Sequence, residues 1–232
     1  MLRSFALLMS LTAAPTALAA QGFPGCARPV VTSKDDLVRS LGALRYSSDP
    51  DLRAAALAAL GQPVVTWALE IAADSAGHVP LEARAMAFQV LRFARWRPAV
   101  RRLTELAQPL RGSWVVWNGA LSALSTYPYP ELVPFWRELL SFPRRNVREL
   151  ALLGLARTGT PTDMLSIREA THQEHDPEML GLIARAESLL AIPVVLRSER
   201  WFAGPPDTTG RFVPSAQWLG RAMPELCGAG KR

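Results

Sequence analysis

Lysine is almost missing from this chain of 232 residues: only Lys34 and Lys231 occur, although Lys and Arg together number 26. The basic charge is therefore arginine, and with abundant alanine this bias reads as a GC-rich bacterial coding sequence. Histidine is scarce, at three residues, and cysteine is limited to Cys26 and Cys227. His172, Glu174, His175 and Asp176 make the one metal-like cluster. A metal site needs three or four firmly held ligands. These residues fall in an expected inter-helix turn, with His78 far off in the chain, so they read as solvated. No glycine-rich phosphate loop is present. Ser113 stands between Gly112 and Trp114, without the Gly-x-Ser-x-Gly context of a hydrolase elbow. Neither cysteine has the neighbours a catalytic thiol requires. After the first twenty residues no apolar run is long enough to span a bilayer. No catalytic, metal or cofactor residue is assigned, and the expectation is a protein that is not an enzyme.

What the chain does hold is a stripe of small and large apolar residues at helical spacing. In Asp49 to Gly61, Arg53, Ala56, Leu57 and Leu60 stand at positions 0, +3, +4 and +7, one face of an α-helix. Arg84, Ala87, Phe88 and Leu91 repeat the spacing, as do Arg148, Ala151, Leu152 and Leu155. Trp117, Ala120, Leu121 and Leu124 form a weaker copy, and Arg185, Ser188, Leu189 and Ile192 the weakest. The anchors Leu57, Phe88, Leu121, Leu152 and Leu189 recur at intervals of 31, 33, 31 and 37 residues. Self-similarity at this period marks a solenoid, whose units bury their apolar faces only against neighbours. An ordinary helical bundle with accidental Ala–Leu spacing is the competing architecture.

Proline supplies the punctuation. Pro50, Pro63, Pro80, Pro98, Pro130, Pro161 and Pro177 fall where a first helical residue is expected, since there the missing N–H is no loss. Asp49, Thr160 and Asp176 precede three of them as N-caps, Ser113 caps the helix that lacks a proline, and Ser33 with Asp36 resembles a capping box. The marks predict ten helices in five pairs: 33–46 with 50–60, 63–75 with 80–95, 98–109 with 113–125, 130–141 with 144–157, and 161–172 with 177–191. The stripe falls on the second helix of every pair.

Asp-Pro-x-x-Arg-x-x-Ala-Leu-x-x-Leu-Gly, as in Asp49 to Gly61, resembles the short HEAT-like repeat of the phycobiliprotein-lyase type. The resemblance implies an all-α solenoid of about five pairs over residues 33–192, roughly 50 Å long at about 10 Å per layer. It says little of activity, because such repeats serve scaffolds, lyases and hydroxylases alike. HEAT-like hydroxylases hold iron through His-Glu dipeptides. Here His78 precedes Val79, His172 precedes Gln173 and His175 precedes Asp176, so that pattern is absent.

Residues 1–20 read as a cleaved signal peptide: Arg3, the apolar Phe5 to Leu11, then Ala17-Leu18-Ala19. Residues 21–32 are a lead-in, and the mature chain is periplasmic or secreted. In that compartment Cys26 and Cys227 are expected to form a disulfide, worth about 4–5 kcal/mol in the chain-entropy account. Lipidation of Cys26 is the rival, with Phe23-Pro24-Gly25 a poor lipobox. Residues 193–232, rich in Pro, Gly and aromatics, form an irregular tail expected to cap the last repeat.

Charge is uneven. Seven arginines (84, 92, 95, 97, 101, 102, 111) meet only Glu105 between Arg84 and Arg111. Six acids (163, 169, 174, 176, 178, 187) meet only Arg168 and Arg185 between Asp163 and Glu187. A positive middle suits an acidic partner or an anionic surface. Aromatics concentrate in the same section, and aromatics beside arginine mark interface hot spots, though half or more are expected in the core. Arg53, Arg84 and Arg148 read as bridges between neighbouring repeats. The candidate interaction surface is Arg92, Arg95, Trp96, Arg101, Arg102, Trp114 and Trp117. The expected partner is another protein. Nucleic acid does not suit an exported chain. A small-molecule binder or enzyme using a solenoid groove, or a structural envelope component, are the alternatives.

Overall fold

The computed structural model describes residues 31–44, 46, 49–108, 113–194 and 197. The expected signal peptide, both cysteines and nearly all of the tail lie outside them. Among the described residues all regular structure is helical, as the proline and stripe pattern predicts. The α-helices are α1 (Lys34–Leu44), α2 (Pro50–Ala59), α3 (Gln62–Ala72), α4 (Leu81–Ala94), α5 (Val100–Leu106), α6 (Trp114–Leu124), α7 (Val133–Leu139), α8 (Arg145–Thr158), α9 (Asp163–Thr171) and α10 (Pro177–Leu190). Short 3-10 turns, Arg97–Ala99 and Pro130–Leu132, lead into α5 and α7. No helix among these residues is long and apolar enough to cross a membrane.

Local chemistry explains where the helices begin. Pro50 and Pro177 open α2 and α10 at the first position. The Asp176 carboxylate accepts from the backbone N–H of Glu178 at 2.9 Å and of Met179 at 3.4 Å. Ser113 Oγ accepts from Val116 N–H at 3.4 Å. Pro98 and Pro130 sit inside the 3-10 turns, so α5 and α7 start later than their prolines suggest. Thr160 does not cap α9 as expected. Its N–H and hydroxyl instead donate to the Asp163 carboxylate, at 2.7 and 3.2 Å. At α1, Ser33 Oγ accepts from Asp36 N–H at 3.1 Å. Asp36 reaches past Ser33 to the hydroxyl and N–H of Thr32, at 2.6 and 3.1 Å, and these bonds hold its carboxyl down to about 2. Gly61, at φ +101°, makes the left-handed turn between α2 and α3.

The stripe becomes core. Leu57, Ala87, Phe88, Leu91, Ala120, Leu121, Leu124, Ala151, Leu152 and Leu155 are buried, each large side chain worth roughly 1.5–3 kcal/mol. Consequently the second helices pack in a row, α2 on α4, α4 on α6, α6 on α8 and α8 on α10. Each also packs against the helix before it in its pair. Small residues set the approach. A Cβ on Gly119 would lie 2.4 Å from the Phe88 ring, and one on Gly154 2.3 Å from the Trp136 ring.

Polar ties then fasten the C-terminal ends of the row. Tyr127 Oη donates to the Leu91 carbonyl at 3.1 Å, Thr126 Oγ1 to that of Arg92 at 2.8 Å, and Tyr129 Oη to that of Arg95 at 2.5 Å. Arg157 donates to the Thr126 carbonyl at 2.6 Å. Arg197, buried, donates to the carbonyls of Ala156, Gly159, Leu190 and Ile192. Two of the stripe's leading arginines bind within their own pair. Arg84 reaches the Ala72 carbonyl, at 3.4 Å, and Arg148 those of Phe142 and Pro143. There a cation meets the negative end of the preceding helix or the turn that follows it. Arg148 also bridges to the next pair, through Glu174 at 2.9 Å.

Candidate interaction groove

The residues singled out from sequence do not form one patch. Arg101 and Arg102 lie exposed on α5 and share Glu105, at 3.3 and 2.9 Å, an exchange between solvated groups. Arg92 and Arg95 stand at the C-terminal end of α4. Arg92 lies 3.9 Å from Asp51 and over the Phe93 ring. Arg95 ends α4 in the left-handed conformation, φ 44°, and is buried. Burial lowers its guanidinium to about 10, with a further push from Arg92. It therefore belongs to the interior, not to a surface. Trp96 is half-buried against the core.

Trp114 and Trp117 open α6, at the other end of the row. Trp117 is buried, edge-on to Trp114 at 4.9 Å and to Phe142 at 5.4 Å. Trp114 keeps 40% of its surface exposed, whereas Trp136 and Tyr127 are wholly buried, so of these aromatics Trp114 is the one presented to solvent. A T-shaped stack on a fixed neighbour holds the exposed ring in place.

Beside Trp114, side chains of α4 and α6 line a groove of about 210 Å³. Met86, Phe88 and Gln89 of α4 face Trp114, Asn118 and Ser122 of α6 across it. The floor is made by the Phe88–Gly119 contact, where only a hydrogen leaves room for the ring. Oε1 of Gln89 is buried there without a hydrogen-bond partner, which carries a penalty of about 1–3 kcal/mol. Asn118 is oriented from α8, its Oδ1 accepting from Asn146 Nδ2 at 3.1 Å. At the α8 side Arg144 leans over the aromatic pair, 4.7 Å from the Trp114 centroid and 5.7 Å from that of Trp117.

Sequence reasoning missed Gln89, Asn118 and Arg144. Only Arg144 left a signal. It occupies the N-cap of α8, in extended conformation, where Ser, Thr, Asp or Asn is usual, and its side chain does no capping. The acidic run of the last pair is spent internally. Asp176 and Glu178 pair with Arg145, Glu174 with Arg148, Asp163 with Arg137, and Glu187 with Arg168. The carboxylate of Glu174 also accepts from His175 and Asp176 N–H groups, so the histidine-bearing turn is organised by hydrogen bonds and ion pairs. No family model matches the chain, and a search of curated proteins finds no match either.

Proposed function

We propose that the chain is an exported, non-enzymatic HEAT-like α-solenoid, an adaptor or scaffold that grips another protein along the face made by its second helices. The observation that carries this reading is the groove between α4 and α6, lined by Met86 and Phe88 together with the polar Gln89, Asn118 and Ser122, and topped by a half-exposed, stacked Trp114. Concave sites where polar groups converge beside apolar ones are where proteins take ligands, and a central aromatic anchor is the usual seat of interface energy. The consecutive packing of α2, α4, α6, α8 and α10 supports a solenoid, since it offers a partner one continuous row of helices. Export rests on the composition of residues 1–20.

Photo-crosslinking in the living cell tests the proposal. A photoreactive residue replacing Met86, Trp114 or Ser122 is expected to trap one recurrent protein, and one replacing Arg101 on α5 is not. Once purified, that protein should bind the Trp114→Ala variant about tenfold more weakly, the effect of losing one anchor. Equal trapping from both faces, or none, rejects the reading. Intact mass of the exported form, beginning near Gln21, checks the compartment, and a chain that keeps residues 1–20 rejects it.

A further inference from the structure

Arg144 and Arg145 are adjacent in sequence and opposite in circumstance. Arg145 is surrounded by Glu149, Asp176 and Glu178. Arg144 is exposed, and among the described residues no carboxylate lies within 4.0 Å of it and its side chain makes no hydrogen bond. What holds it is the face of Trp114, with Trp117 behind. A guanidinium laid on an indole is weakly hydrated and pre-oriented, and the N–H groups at its edge remain directed outward in the fork that matches a carboxylate. Trp114, on which it rests, also lines the groove, together with the apolar Met86 and Phe88, the polar Asn118 and Ser122, and Gln89, whose Oε1 is unsatisfied. That Oε1 has no donor among the described residues.

We infer that the groove receives an extended polypeptide segment of the partner carrying an acidic residue beside a bulky apolar one. The acidic side chain forms a two-pronged ion pair with Arg144, the apolar side chain enters between Phe88 and Trp114, and a backbone N–H of the segment donates to Gln89. A polypeptide fits better than a small acid because the three contacts come from three helices in a row, α4, α6 and α8, across an open groove. This inference rests on the binding role proposed above and names the chemistry of what is bound.

The test is fluorescence anisotropy on the full mature chain, with a short fluorescein-labelled peptide holding two Leu-Glu pairs in a Gly-Ser background. Peptides with Leu-Gln or Ser-Glu in their place serve as controls, and N-acetyl-leucine as the small carboxylate. Saturable binding of the Leu-Glu peptide is expected, weakened about tenfold by Arg144→Gln, by Trp114→Ala, or by either control peptide. Arg144→Lys should recover only part of the loss, since a point charge lacks the fork. The double variant Arg101→Gln, Arg102→Gln should bind as wild type does. Both Arg144 and Trp114 are exposed, and unchanged circular dichroism verifies that the variants fold. No saturable binding, an Arg144→Gln variant indistinguishable from wild type, or equal binding of the Leu-Gln peptide overturns the inference. N-acetyl-leucine binding as tightly as the peptide overturns the polypeptide assignment. Failure here with recurrent crosslinks from Met86 and Trp114 rejects only the acidic chemistry, whereas failure of both rejects the binding role.

Discussion

The α8–α10 junction and the α4–α6 junction join equivalent helices in different ways. At α8–α10 the N-terminal ends are clasped by Arg145 and Arg148 on Asp176, Glu178 and Glu174, and the C-terminal ends by Arg197 on four carbonyls. At α4–α6 the C-terminal ends are tied by Thr126 and Tyr127, the centre by Phe88 against Gly119, and a groove lined by Met86, Gln89, Trp114 and Asn118 lies between the helices. One junction has used its charges on itself. The other has a groove between its helices and, stacked on Trp114 at its edge, the Arg144 guanidinium, which meets no carboxylate among the described residues.

The comparison can be broken most forcefully at Arg197. Arg197→Ala removes a charged donor from four carbonyls and should destabilise the chain by about 3 kcal/mol or more, at about 1 kcal/mol for each orphaned acceptor, measured by urea unfolding. A loss below about 1 kcal/mol would mean that water replaces the arginine. Gly119→Ala acts on the other junction. The new methyl lies 2.4 Å from the Phe88 ring, and overpacking should cost about 1–3 kcal/mol, offset in part by better helix propensity. A stabilised variant would show that the ring can swing into the groove.

Acid separates the two junctions more gently. Bonds from the Asp176 N–H and then from Arg148 lower the Glu174 carboxyl. A carboxylate whose folded pKa is depressed stabilises the fold above its unfolded value, and that contribution is lost as pH falls below roughly 4. Hydrogen exchange on an acid series should therefore show α8 and α10 losing protection at a higher pH than α4 and α6. The reverse order would place the acid-labile contacts elsewhere. Smallest of all is Trp114→Ala, expected to cost about 0.5–1.5 kcal/mol, the value of its edge-on pair with Trp117, while weakening binding. A large stability loss would return Trp114 to the core.

The ten helices were legible because proline, cap residues and the Arg–small–apolar stripe are local signals. Asp176 and Ser113 act where their types and positions say they should. The site was much less legible. Arg95 looked like its surface neighbours, yet a left-handed turn at the end of α4 folds it inward. Trp114 and Trp117 are one turn apart on α6 with the same residue type, but a neighbouring helix pair covers only one of them. The acids of the last pair seemed to make a negative end because their partners, Arg137, Arg145 and Arg148, come from the pair before. Pairing across units depends on stacking, and no window of sequence contains it.

The C-terminal ties have a direction. Thr126, Tyr127 and Tyr129 donate backward to the end of α4 and the turn after it, Arg157 donates backward to the turn after α6, and Arg197 to the end of α8. In each, the acceptor belongs to the earlier unit and the donor to the later. During synthesis the earlier unit emerges first with its carbonyls open, and water satisfies them until the next unit arrives. For these ties, growth in that order leaves no donor waiting for a unit not yet made. At these C-terminal ends each later helix pair locks the one before it, so removing the last pair should leave carbonyls that water can satisfy, whereas removing the first of the tied pairs would leave donors without acceptors.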